Sequence, residues 1–189
     1  NLGGIAVGFL RKFGFQGAVW PVNAGRATVG GLPCYPALSA LPATPDLAIL
    51  AVPADAVTNV VRDCISARVP AAVAWAGGFA ETGAEGRERQ RALAAVLRES
   101  GLKFCGPNCI GMCSFDMGAA LTFEFNVERP AETARPKIGL AAQSGAMAAI
   151  MRMAFLSKGL GITFYISTGN EADLGVEDFL SALVDDTET

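Results

Sequence analysis

The chain has 189 residues, half of them hydrophobic and only 8% aromatic, with a formal charge of −3 and no histidine. This balance excludes a basic nucleic-acid surface and, with no apolar run of about 18 residues, a membrane-spanning helix. The lack of histidine excludes Ser-His-Asp, Cys-His and phosphohistidine chemistry within these residues.

The abundance of Ala, Val and Gly suits parallel strands buried on both faces. Leu2-Gly3-Gly4, followed by Ile5, Val7 and Leu10, reads as the end of a Gly-rich turn entering a first helix. Residues 1–10 carry no basic leader pattern, so a cytoplasmic protein without a secretory signal is expected. Residues 18–22 read as a strand, followed by a turn-rich stretch to Pro33. Residues 47–52 form an apolar strand stopped by Pro53. Asp55 is the expected N-cap of a helix whose Val57, Val60, Val61, Cys64 and Ile65 share one face. Residues 71–76 are the next strand, and Thr82-Gly83-Ala84-Glu85 fits a capping box opening a charged helix to about Ser100. A short strand at residues 102–105 runs into the loop Gly106-Pro107-Asn108-Cys109-Ile110-Gly111.

Residues 124–136 shift to Glu, Arg, Pro and Thr and read as a linker between a domain at 1–130 and a second segment at 136–189. That segment predicts a strand at 138–142, a helix to about Ser157, a strand at 162–166 and a last helix. Met147, Ile150, Met151, Ala154 and Phe155 make one helical stripe, and Val176, Phe179, Leu180, Leu183 and Val184 another. Both are assigned to the core. Cys105, Cys109 and Cys113 are spaced by four, without C-x-x-C pairs or histidine partners. They read, with Cys34 and Cys64, as reduced, mostly buried thiols rather than metal ligands.

Alternating strands and helices imply parallel sheets with right-handed crossovers, whose ligands bind outside the carboxyl ends of strands. The loops there carry Pro21-Val22-Asn23, Val52-Pro53, Gly77-Gly78-Phe79-Ala80-Glu81 and Pro107-Asn108, a rim suited to a long nucleotide-like ligand. Neither G-x-G-x-x-G nor the P-loop pattern is present. The break Gln143-Ser144-Gly145, between a strand and a helix, offers free backbone N–H groups and the positive helix end to an anion such as phosphate.

In this order the loops resemble the alpha part of the nucleoside-diphosphate-forming acyl-CoA synthetases, the superfamily that includes succinyl-CoA synthetase. The segments that carry the resemblance are Trp20-Pro21-Val22-Asn23, Leu32-Pro33-Cys34-Tyr35-Pro36, residues 45–53, residues 76–83, residues 106–111, Gln143-Ser144-Gly145-Ala146, residues 167–173 and residues 185–189. They are most similar to the ADP-forming acetyl-CoA synthetase-like members. The resemblance implies a Rossmann-like CoA-binding domain followed by the start of a flavodoxin-like ligase domain. It also implies acyl-CoA formation through an acyl phosphate and a phosphohistidine.

By the same resemblance, coenzyme A lies along Pro21, Val22, Asn23, Val52, Pro53, Gly78, Phe79, Glu81 and Asn108. Ser144 and Gly145 hold the phosphoryl group. The implied partners are a carboxylic acid, ATP or ADP with Mg2+, an ATP-grasp domain or beta subunit, and an oligomeric assembly. The first strand with its Gly-rich turn is expected before Asn1, and the histidine and ATP-grasp part beyond Thr189. A second reading is the CoA-sensing regulatory module of a protein acetyltransferase. A third, a dinucleotide-dependent oxidoreductase, lacks its fingerprint.

Overall fold

The computed structural model describes residues 2–131 and 135–189, so Asn1 and part of the expected linker, residues 132–134, lie outside the described residues. The elements in chain order are α1 (Leu2–Lys12), the hairpin β1 (Thr28–Val29) and β2 (Leu32–Pro33), β3 (Leu47–Leu50), α2 (Ala54–Ser66), β4 (Ala71–Ala74), α3 (Ala84–Arg98) and β5 (Lys103–Cys105). They continue with β6 (Gly111–Ser114), β7 (Ala119–Thr122), β8 (Lys137–Ala142), α4 (Gly145–Ser157), β9 (Gly161–Ser167) and α5 (Val176–Val184). No helix among the described residues is long and apolar enough to cross a membrane.

β3, β4 and β5 form a parallel sheet in that order, with α2 and α3 as the crossovers. The 3.6-residue spacing of Val57, Val61 and Cys64 turns one face of α2 onto the sheet, where Leu93 and Leu97 of α3 meet Leu50, Ala74 and Phe104. Each such buried side chain stabilises the fold by about 1.5–3 kcal/mol. This is the parallel sheet expected from the alternating pattern, and it fits the Rossmann-like domain that the resemblance implies.

The second sheet runs β7-β6-β9-β8. β8 and β9 are parallel, as a strand–helix–strand unit requires, but β6 and β7 form an antiparallel hairpin and β6 pairs antiparallel to β9. The hairpin, not foreseen from the sequence, comes from before the linker and is hydrogen-bonded into the sheet that follows it. α1 packs over β7, and Phe9, Phe13 and Phe115 stack between them with ring centroids 6.2 and 5.9 Å apart.

Several local expectations are corrected. Residues 18–22 form no strand. Among the described residues their backbone is tied only to the following loop, by a bridge between Val22 and Tyr35, because Pro21 has no N–H for a ladder and no described strand lies alongside. Among the described residues β3 therefore pairs only with β4. Its other side borders an apolar cavity of about 1580 Å³ also lined by Val19, Trp20, Phe164 and Phe179. Gly3 and Gly4 are already helical. Asp55 sits inside the first turn of α2 behind Pro53, the actual N-cap. The capping box at Thr82 is absent: Gly83 is the N-cap of α3, and the Thr82 hydroxyl donates to the Phe79 carbonyl instead.

The two stripes are corrected as well. Met151 and Phe155 of α4 and Phe179 of α5 do pack against the core, but Met147, Ile150 and Ala154 face outward, as do Leu180 and Val184. Periodicity places residues on one face of a helix but does not say whether another element covers it. The start of the linker is also not a solvated spacer. Val127 is fully buried, and Glu124 receives the buried Arg152 guanidinium at 2.6 Å and the Tyr165 hydroxyl at 2.5 Å.

Candidate functional site

The loops that leave β3, β4 and β5 converge at one end of the first sheet. A cleft of about 410 Å³ there is lined by Leu2, Val52, Pro53, Ala54, Ala76 and Gly77. Gly77 keeps its wall thin, and Gly78 follows it in the same loop. A Cβ on Gly77 would stand 3.3 Å from Asn108 Oδ1 and 3.4 Å from Glu81 Oε1, and Gly78 adopts φ +104° with the Ala54 Cβ close by. Arg89 of α3 holds the loop from behind by donating to the Gly78 carbonyl.

Glu81 organises this loop. Its carboxylate accepts the Gly78 N–H at 2.5 Å and the Phe79 N–H at 3.1 Å, and on its other oxygen the Asn170 side-chain amide at 2.5 Å. Burial alone would push the Glu81 carboxyl up, but the bonds from Asn170, Gly78 and Phe79 outweigh it and hold it below the usual carboxylate range. Phe79 itself is fully buried in the core of the first sheet, so its side chain anchors the loop and does not line the cleft.

Pro21, Val22 and Asn23 stand apart from this cleft, along the apolar cavity, with Asn23 bonded back to Tyr35 and Gly25. Leu2, Ala51 and Val52 border both spaces. Of the expected rim, the structure thus gathers Val52, Pro53, Gly78, Glu81 and Asn108 at one place and leaves residues 21–23 at another. Cys109, next to Asn108, is 2% exposed and donates to the Ala74 carbonyl, so its thiol points away from the cleft.

On the second sheet, Ser144 is the N-cap of α4, with extended backbone and its Oγ accepting the Met147 N–H at 3.4 Å. The Ala148 N–H goes to the Ser144 carbonyl, which leaves the Gly145 and Ala146 amides without an acceptor among the described residues. Gly145 is required by space: a Cβ there would meet the Ile110 side chain at 2.8 Å. The first turn of α4 is therefore pressed against the loop that carries Asn108.

Asn170, Gln90 and Gln143 were not singled out as site residues by the sequence, yet they join these two places. Asn170 lies in the polar break after β9, visible in the sequence as Thr168-Gly169-Asn170-Glu171, which offered no sign of its partner. Gln90 lies among charged residues of α3 and gave no signal at all. The Gln143 side chain donates to the Gly169 carbonyl at 2.7 Å, and the Gly169 N–H returns to the Gln143 carbonyl at 3.0 Å.

Comparison with known proteins bears on this arrangement. Residues 2–114 match the CoA binding domain family, and residues 135–189 match the succinyl-CoA ligase like flavodoxin domain. The chain is 39% identical over its whole length to 27% of a trans-feruloyl-CoA synthase, FCS1, from an unknown prokaryotic organism. It is 36% identical, over 93% of its length, to 25% of the ADP-forming acetate–CoA ligase I of Archaeoglobus fulgidus. It thus spans about a quarter of the length of these two curated relatives. Its fold superposes on the dinucleotide forming acetyl-coenzyme A synthetase 1 of Ca. Korarchaeum cryptofilum, solved with phosphate and ADP. The TM-score is 0.87 at 31% identity, covering all of this chain and 39% of that one.

Proposed function

We propose, from the premise that this chain belongs to the CoA binding domain family and continues into a succinyl-CoA ligase-like flavodoxin domain, that it is the CoA-binding and phosphoryl-holding part of an ADP-forming acid–CoA ligase. The observation that carries the reading is the placement of two unsatisfied helix amides, at Gly145 and Ala146, against Ile110 of the same loop that brings Asn108 up to Gly77 of the strand-end cleft. An acid–CoA ligase needs an anion site and a thiol site next to each other.

CoA supplies the thiol. The cleft residues Val52, Pro53, Ala54 and Gly77 fit its thin pantetheine arm, since Gly77 leaves that part of the wall without a side chain. Asn108 stands at the inner end, bonded toward the second sheet. At α4 the Gly145 and Ala146 amides and the helix dipole stabilise negative charge on a transferring phosphoryl oxygen without reorganising. The chain contains no histidine, so the phosphoryl carrier is supplied by another segment, together with the ATP-grasp part or subunit.

Gly145→Pro tests this reading in the protein that carries the chain. Proline is tolerated at the first helical position, and Ser144 already has the extended backbone a following proline needs. Gly145→Ala is the paired control, with the same clash against Ile110 but the N–H retained. Phosphorylation of the protein by ATP should fall about 100-fold further in the proline variant than in the alanine variant. CoA affinity, measured by calorimetry, should differ little between them. Equal phosphorylation of the two would remove the amide from the mechanism.

A further inference from the structure

We propose that Asn170 is the positioning residue that holds the thiol end of the cleft in register with the first turn of α4; this rests on the ligase reading above. Every hydrogen-bonding group of Asn170 is spent across the junction between the two sheets. Its side-chain amide donates to Glu81 at 2.5 Å and to Gln90 at 3.0 Å, and its side-chain oxygen accepts from Asn108 at 3.2 Å. Its backbone N–H donates to the Pro107 carbonyl at 2.8 Å, and its carbonyl accepts from Gln90 at 3.0 Å. None of these bonds returns to the loop Asn170 belongs to.

Two features make this loop a spacer of defined length. Gly169 lies so close to the Pro107 and Asn108 backbone that a Cβ would collide with the Pro107 carbonyl, and its φ of +66° suits glycine. The reciprocal bonds between Gly169 and Gln143 then pass the position on to Ser144 and Gly145. The path from Glu81 and Asn108 to the open amides of α4 therefore runs through Asn170, Gly169 and Gln143. For the thiol of CoA to attack an acyl phosphate held at α4, the two sites must stay within reacting distance. A misplacement of about 1 Å can cost about 100-fold in rate.

The charged groups around Glu81 leave it to Asn170. Arg89 and Glu85 of α3 pair with each other, Glu171 is bonded to the Thr168 hydroxyl and the Val176 N–H, and Asp173 accepts the Phe104 N–H. Asn170→Asp would thus set a second carboxyl against Glu81 where an amide now donates. Such a pair repels when both are ionised and shares a proton when one is not.

The experiment compares wild type, Asn170→Ala and Asn170→Asp in the protein that carries the chain. The measurements are phosphorylation by ATP, CoA affinity, and kcat and KM for CoA in thioester formation between pH 5.5 and 8. The expected result is kcat lower by about 10- to 100-fold in both variants, with phosphorylation and CoA affinity within about twofold of wild type, since no assigned contact to either group is removed. The Asn170→Asp deficit should also shrink as pH falls, while the Asn170→Ala deficit stays constant. A kcat within twofold of wild type overturns the inference. So does a parallel loss of phosphorylation, CoA affinity and melting temperature, which would mark Asn170 as a support of the fold only. A wild-type protein that neither binds CoA nor accepts phosphate overturns the ligase reading itself, and this inference with it.

Discussion

The two sheets are held together by different kinds of core. Around β3, β4 and β5 the fully buried side chains are Val57, Val61, Leu93, Phe79 and Phe104, with no charge among them. Inside the second sheet the largest fully buried side chain is Arg152 of α4. It bonds to Glu124 and to the Asn126 carbonyl, and its guanidinium lies 5.5 Å from the centre of the Tyr165 ring. An apolar core loses stability roughly in proportion to the surface removed. A buried ion pair behaves differently, because removing one partner strands the other in a poor solvent. The second core thus depends on a paired charge as the first does not, and it is the one that carries the open amides of α4.

Arg152→Met is the sharpest way to break this contrast. It should cost about 3–5 kcal/mol in urea unfolding, because the Glu124 carboxylate loses its counter-charge. Adding Glu124→Gln should recover part of that loss, a sign of coupling that an ordinary packing defect would not give. Leu93→Ala, at a fully buried position of the first core, should cost about 2–5 kcal/mol with no such rescue available. If the Arg152 and Glu124 losses simply added, the second core would be no different in kind from the first.

The smallest effect concerns Glu81. Its folded carboxyl lies below the ordinary value of 4.5, so it binds a proton less readily folded than unfolded. Its contribution is present in full above about pH 4.5 and lost as pH falls through the lower folded value. Wild type should therefore melt higher than Glu81→Gln at neutral pH, and the two curves should converge in acid. A gap that widened toward low pH would contradict the hydrogen bonds assigned to this carboxylate.

Much of the first sheet was legible because its elements are local. The apolar run at β3 and the spacing of Val57, Val61 and Cys64 each need only neighbours in sequence. The strand–Ser144–Gly145–helix arrangement was legible for the same reason, and α4 ends at Ser157 as its pattern indicated. The outward face of α4 was not, since Met147 and Ile150 look identical in sequence whether or not something covers them. The hairpin β6–β7 is local and went unread, but its place beside β9 joins residues about fifty positions apart and leaves no local pattern.

By itself the sequence determined the alternating elements, the turn chemistry at the strand ends and the absence of histidine, because these depend on residue type and near neighbours. Only the tertiary structure decided that the Glu81 carboxylate folds back onto the Gly78 and Phe79 N–H groups, that residues 21–23 line the apolar cavity and not the cleft, and that Asn170 bridges the two sheets. A hydrogen bond between residues 81 and 170 leaves no local periodicity, and its partners are fixed by how the two sheets pack.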